Sequence, residues 1–205
     1  MIGIVDYGMG NLHSILKALH RIGEEATIIH RPEQILSATK IILPGVGHFN
    51  NGMDRLHNLG FVMPLRQRAM QDKIPVLGIC LGAQLLTDHS EEGDAEGLGL
   101  IPGDTLKFDF TTANRNLKIP HMGWNQITSA LSLGLFEGLT NASCFYFVHS
   151  YYIRCKHASH AIGSTTYGLD FHSIIRKENI IGMQFHPEKS HADGLRLLKN
   201  FANQS

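Results

Sequence analysis

The chain has no excess of charge of either sign: eighteen Lys and Arg balance eighteen Asp and Glu over 205 residues. Without a basic surplus there is no electrostatic footprint for nucleic acid or an anionic membrane. Cysteine is scarce, and Cys80, Cys144 and Cys155 share no repeated spacing. An odd, unpatterned set argues against a disulfide framework and fits a reducing compartment, so a cytoplasmic protein is expected. No apolar run approaches the ~18 residues of a membrane span. Met1–Val5 reads as a strand rather than a secretory leader, because no basic stretch precedes it and Asp6 interrupts it. Repeats and low-complexity tracts are missing too. His157 and His160 have ligand-like spacing, but no carboxylate or thiol cluster joins them, so no metal is expected. What remains is an ordinary globular composition, 43% hydrophobic and 18% charged, of a length that suits a single domain over 1–205.

What is present is alternation. Ile2–Val5 reads as a strand, and Leu12–Ile22 carries apolar residues at 12, 15, 16, 19 and 22, one face of a helix. Gly23 is placed to end that helix. Further strands are expected at Ala26–Ile29, Lys40–Leu43 and Pro75–Ile79. Between them the pattern predicts a short helix at Pro32–Leu36, a helical region reaching Arg68–Asp72, and a helix over Leu81–Asp88. Such order predicts a parallel sheet with helices on both faces. The second half reads as short strands joined by turns: Thr105–Phe110, Gln126–Thr128, Cys144–Val148, Tyr151–Cys155, Ala161–Thr166 and Ile174–Arg176. A strand running toward His186 and a closing helix near Ala192–Ala202 complete the chain. The expected fold is α/β, a mostly parallel central sheet with flanking helices plus an antiparallel β layer. Ligands of such sheets bind outside the carboxyl ends of the strands.

Chemistry concentrates at Val76-Leu77-Gly78-Ile79-Cys80-Leu81-Gly82, where an apolar strand breaks at a Gly-x-Cys-x-Gly corner before a helix. This is the thiol version of the nucleophile elbow, with glycines leaving room for the corner. A merely buried cysteine is the plain alternative. A thiol nucleophile needs a base, and the base needs an orienting carboxylate. Ile180–Glu188 offers both, an apolar strand that ends in His186-Pro187-Glu188. In a parallel sheet its end would share an edge with Cys80. Pro44-Gly45-Val46-Gly47 closes the third strand on that edge. Glycines around Val46 would let a peptide turn an N–H toward developing negative charge, and Leu81 N–H is the natural second donor. Gln84 lies one helical turn past Cys80 and faces the same side. Glu92, in an acidic loop, suits a substrate ammonium or is simply solvated, while Ser150 and Tyr151 follow an aromatic strand and could lend backbone groups to a ligand. Asp6–His13 invites a nucleotide-loop reading, but the third glycine of G-x-G-x-x-G is absent. A turn that docks a partner and a purely structural turn remain.

With these segments in place, the chain resembles a class I glutamine amidotransferase from Asp6 to its last helix. Asp6–Leu12, Pro120–Asn125 and His149–Tyr151 look like the branch of that class that feeds imidazole glycerol phosphate synthesis. The resemblance implies Cys80 as nucleophile, His186 as base and acid, and Glu188 as orienting carboxylate. It implies Val46 and Leu81 as oxyanion donors, glutamine held by Gly47, Gln84, Glu92, Ser150 and Tyr151, and no cofactor. It also implies a heterodimer with a separate (β/α)8 cyclase, since the chain is too short to add such a barrel of about 250 residues. By resemblance that partner uses ammonia to make imidazole glycerol phosphate and aminoimidazole carboxamide ribotide in histidine biosynthesis. Tyr7, Met9, Asn11, Met122, Trp124 and Lys189 would meet it. The triad does not separate this reading from a paralogous subunit that supplies a sugar-modifying synthase of surface polysaccharide assembly. A non-catalytic scaffold and a peptide-directed cysteine hydrolase are the readings from other classes.

Overall fold

The computed structural model describes residues 1–111, 117–129 and 134–204. Strand β1 (Ile2–Val5) is buried along its whole length. Helix α1 (Leu12–Arg21) begins where the Asn11 side chain accepts the Ser14 N–H at 3.3 Å, and it buries Ile15, Ala18 and Leu19. Each Ile or Leu fully buried this way contributes about 2 kcal/mol. Gly23, at φ +80°, turns the chain out of that helix. Then come β2 (Ala26–Ile29), β3 (Lys40–Leu43), α2 (Phe49–Asn58), α3 (Val62–Arg66), β4 (Val76–Ile79) and α4 (Leu81–Leu85). The second half holds β5 (His89–Ser90), β6 (Ala95–Glu96), β7 (Gly103–Lys107), β8 (His121–Gln126), β9 (Thr128–Ser129) and β10 (Cys144–His149). It closes with β11 (Tyr151–Cys155), β12 (Ala161–Tyr167), β13 (Leu169–Lys177), β14 (Ile180–Met183) and α5 (His191–Ala202).

The parallel part runs β2-β1-β3-β4-β14. Alternation along its strands splits the core in two. Ile2, Ile4, Ile42, Leu77 and Ile79 pack with Ile15 and Leu19 of α1 and Leu197, Leu198 and Phe201 of α5. Val5, Ile41, Leu43 and Val76 pack on the other face with Phe49, Met53 and Leu56 of α2 and Val62 and Leu65 of α3. The α/β reading therefore holds, and so do most of the expected strands.

Three details differ. The helix expected over Leu81–Asp88 stops at Leu85, because the following loop takes its last carbonyls. Leu98 N–H donates to Leu85 O at 2.8 Å, Leu100 N–H to Leu86 O at 2.9 Å, and Gly99 N–H to Thr87 O at 3.0 Å. Most antiparallel strands do not stack as a layer but extend the main sheet past β14 through β13, β11 and β7. Among the described residues, only β8 and β10 form a separate two-stranded sheet. Strand β8 itself escapes a periodicity reading because its pattern is inverted: His121, Gly123 and Asn125 face inward while Met122 and Trp124 are exposed. Among the described residues, no helix is long and apolar enough to cross a membrane.

Candidate active site

Register brings the two halves together. Parallel β4 and β14 pair Ile79 with Met183, so the residues that leave both strands emerge side by side. Cys80 N–H donates to Met183 O at 2.8 Å, tying the corner to the neighbouring strand. Cys80 sits at φ +53° and ψ −111°, a conformation that costs a non-glycine residue about 1–3 kcal/mol. Gly78 and Gly82 make the corner possible. A Cβ on Gly78 would lie 2.6 Å from Gly82 O and 2.7 Å from Ala83 Cα, so strand and helix touch backbone to backbone.

Cys80 opens into a cavity of about 280 Å³ whose lining includes His186. His186 Nδ1 lies 2.8 Å from Glu188 Oε1, and both side chains are buried. That contact makes Nδ1–H the donor and turns Nε2 toward the cavity side. His186 Nε2 and Glu188 Oε2 are buried without a hydrogen-bond partner of standard geometry. Burial alone would lower the imidazole pKa. Hydrogen bonding and charge from Cys80 and Glu188 outweigh it and lift His186 to about 9, which favours its protonated form.

The same cavity is lined by Val46, Gly47, Leu81, Gln84, Glu92, Ser150 and Tyr151. Val46 is exposed at its rim, and Gly47 adopts φ +111°, which favours glycine. Leu81 is the first residue of α4, so its N–H has no carbonyl one turn back. Gln84 Nε2 donates to Tyr151 O and to Gln184 Oε1, both at 3.0 Å. Glu92 Oε2 accepts Phe49 N–H at 2.8 Å and so caps α2 from within the wall of the cavity.

Of the expected interface residues, Met122, Trp124 and Lys189 are exposed, and Met9 is half-buried. Trp124 stacks on His191 with centroids 4.8 Å apart, and Lys189 Nζ lies 5.9 Å from the Tyr146 ring centroid. Asn11 is exposed and caps α1. Tyr7 corrects the expectation: it is fully buried, and its hydroxyl donates to Pro44 O at 2.7 Å. Its side chain braces the base of the Pro44–Gly47 loop from inside and offers a partner no surface. Burial, reinforced by the charge of Cys80, pushes its phenol well above the usual range.

Two features of the site escape the sequence reading. Gln184 is fully buried, and its Nε2 donates toward Cys80 Sγ at 3.9 Å. The period of two that puts it on the His186 side of the strand end would have found it. Val148 also lines the cavity, beside His149 of the expected His149–Tyr151 segment, and Cys80 Sγ lies 3.8 Å from Val148 O. His157 and His160 pack ring against ring at 5.2 Å, and no group of three or more His, Cys, Asp or Glu that could hold a metal occurs among the described residues.

Residues 3–205 match the family described as Glutamine amidotransferase class-I, and the chain belongs to that family. Within it, relatives match along essentially their whole length. The "Imidazole glycerol phosphate synthase subunit HisH 2" of Methanococcus maripaludis is 48% identical, with all of both chains covered. The "Imidazole glycerol phosphate synthase subunit HisH" of Bdellovibrio bacteriovorus is 42% identical over 98% of this chain and 99% of that one. Among solved structures, "Structure of PurLQS from Thermotoga maritima" shares the fold at a TM-score of 0.75 and 16% identity, over 98% of this chain and 97% of that one. "Crystal structure of glutamine amidotransferase" does so at 0.73 and 20%, over 98% and 96%.

Proposed function

We propose that this chain is the glutaminase subunit of an imidazole glycerol phosphate synthase, with 1–205 acting as one glutamine amidotransferase domain in the cytoplasm. The observation that carries the reading is the shared cavity of Cys80, His186 and the Gly47–Tyr151 wall, in a chain 48% identical to a full-length HisH subunit. Cys80 sulfur attacks the side-chain carboxamide carbon of glutamine, and charge gathers on its oxygen. Val46 and Leu81 N–H groups receive that charge. The C–N bond then breaks as His186 passes its Nε2 proton to the nitrogen, which leaves as ammonia. A glutamyl thioester remains on Cys80. Water gives a proton to His186 and attacks the thioester, the C–S bond breaks, and glutamate departs. Glu188 holds one tautomer of His186 throughout.

Ammonia set free in water would be protonated and lost as a nucleophile, so a dry route to a second site is needed. The outer face of β8 and β10 suits a partner there. Met122 pairs with Val148 and Trp124 with Tyr146, so an exposed apolar face adjoins the cavity through Val148. Lys189 borders it. The proposed partner is a (β/α)8 cyclase, paired with this chain as a heterodimer. The test is a glutaminase assay with and without that cyclase and its nucleotide substrate. Weak hydrolysis alone and a rise of orders of magnitude in the complex are expected; equal rates would overturn the partner-dependent reading. Numerals in the names of relatives such as "HisH 2" and the Campylobacter jejuni "HisH 1" keep one second reading in play. In it, a sister subunit feeds another acceptor, such as a sugar-modifying synthase of surface polysaccharide assembly. Rescue of a histidine auxotroph separates the two.

A further inference from the structure

A pair of buried histidines, one of them in the cavity lining, stands apart from the reacting groups. His149 is buried at the end of β10, and His121 is buried at the start of β8. His149 Nδ1 is 2.7 Å from Tyr151 O, and a carbonyl only accepts, so Nδ1 carries the proton. Its Nε2 is then a bare acceptor, and it lies 3.0 Å from His121 Nδ1, which must donate. His121 Nε2 is left as an acceptor facing Asn125 Nδ2 at 3.4 Å. One assignment of protons satisfies every contact. Adding a proton to either ring would set two donors against each other. Aromatic rings enclose both: His121 is sandwiched between Tyr167 at 4.0 Å and Phe147 at 4.9 Å, and His149 packs against Phe171 at 5.1 Å. Burial holds His121 near 4 and His149 near 3.

The carbonyl at the end of this chain belongs to the cavity. Tyr151 O accepts from His149 Nδ1 and from Gln84 Nε2, so both its lone pairs are used. Val148 O, on the other side of His149, faces Cys80 Sγ. Ser150 O accepts Phe108 N–H at 3.1 Å. The carbonyls of Val148, Ser150 and Tyr151 are thus all engaged, which fixes the backbone of this wall.

We propose that His149, its tautomer fixed by His121, is a positioning residue for glutamine that holds the Val148–Tyr151 wall in binding geometry and ties it to the partner-facing strand β8. The proposal rests on the reading of the cavity as the glutamine site. It assigns His149 no proton transfer: its effect falls on binding and leaves the sulfur's reactivity alone.

The test uses the complex with its cyclase. In His149→Phe, KM for glutamine should rise about tenfold or more, the scale of one lost buried hydrogen bond, with kcat within a few-fold. His149→Asn, whose amide can donate where Nδ1 did, should recover much of that loss. Alkylation of Cys80 by iodoacetamide should proceed at the wild-type rate in both variants. A His149→Phe enzyme with unchanged KM, or one with slowed alkylation and reduced kcat at unchanged KM, would overturn the proposal. Nitrogen-15 NMR of wild-type imidazoles keeps it falsifiable if the variants fail to fold. Both His121 and His149 should show the Nδ1–H tautomer at neutral pH, and an Nε2–H tautomer or a charged ring at either would refute it. A wild-type complex that hydrolyses no glutamine would bring down the glutaminase reading and this one together. Activity with an unmoved KM in His149→Phe overturns this one alone.

Discussion

His186 and His149 line one cavity, both buried, and their pKa values shift in opposite directions. For each, burial is the largest influence and favours the neutral ring. At His149 nothing of comparable size opposes it: the carbonyl of Tyr151 helps the proton stay, while His121 and His186 push the other way. At His186 a thiol and a carboxylate stand on either side, and together they reverse the sign. The lesson concerns neighbours. A buried imidazole becomes a proton carrier only where anions flank it, and where a carbonyl and a second imidazole flank it, it becomes a fixed strut. The open bonding capacity follows the same division. His186 Nε2 is without a standard partner, as a reacting group needs to be, whereas His149 has a partner on both nitrogens.

The largest test of this contrast removes the sulfur. Cys80→Ala should lower glutamine hydrolysis by roughly three orders of magnitude or more, while ammonia-driven synthesis by the complex survives. The same change takes away one of the two groups that oppose burial at His186. Its pKa should fall from about 9, while that of His149 stays near 3. Histidine NMR titration reads both at once. An unmoved His186 would mean that Glu188 alone holds the charge and that the thiol plays no electrostatic part.

A smaller effect separates the two histidine sites by stability against pH. The folded pKa of His186, about 9, lies above its ordinary 6.5. The folded state therefore binds more protons, and that stabilisation is complete below pH 6.5 and lost as pH rises through 9. For His121 and His149, folded values of about 4 and 3 lie below 6.5. Their contribution is complete above pH 6.5 and is lost as pH falls through 4 and then 3. Each group tilts the curve by at most about 1.4 kcal/mol per pH unit. Urea midpoints across pH should show His149→Phe flattening only the acid limb and His186→Gln only the alkaline limb. A variant that changes both limbs equally would erase the distinction.

How much of this was readable beforehand follows the same line between strong and weak local signals. The corner at Cys80 was legible because Gly78 and Gly82 are demanded by backbone contact, which leaves a mark in the sequence. His186 and Glu188 were legible through the proline between them and the apolar strand before them. The His121–His149 pair was not. Each residue sits in a segment that carries the resemblance, but nothing local joins the two, and their meeting depends on the antiparallel register of β8 with β10, which pairs His149 with His121 across a strand whose apolar residues face outward. Tyr7 was misplaced for a different reason: the resemblance assigned the whole Tyr7–Asn11 turn to the interface, and it does not say which side chain of the turn faces inward. Parallel order is local enough to show in alternation, whereas the antiparallel half depends on long-range pairing that alternation does not encode.

Tyr7 supplies the finest test, because the charge of Cys80 acts there with the opposite result. At His186 that charge opposes burial; at Tyr7 it adds to burial, and both keep the phenol protonated. The proton is used, since the hydroxyl donates to Pro44 O at the base of the loop that carries Val46. Tyr7→Phe keeps the ring and removes only this bond, so the stability loss should be about 1 kcal/mol, read as a lowered urea midpoint. If the loop presents an N–H to the developing oxyanion, kcat for glutamine should fall a few-fold, with KM and ammonia-driven synthesis unchanged. A Tyr7→Phe protein with wild-type kcat would show that the loop holds its shape without the hydroxyl. The phenol would then be a packing group, and the influence of Cys80 on its surroundings would reach His186 but stop short of the oxyanion loop.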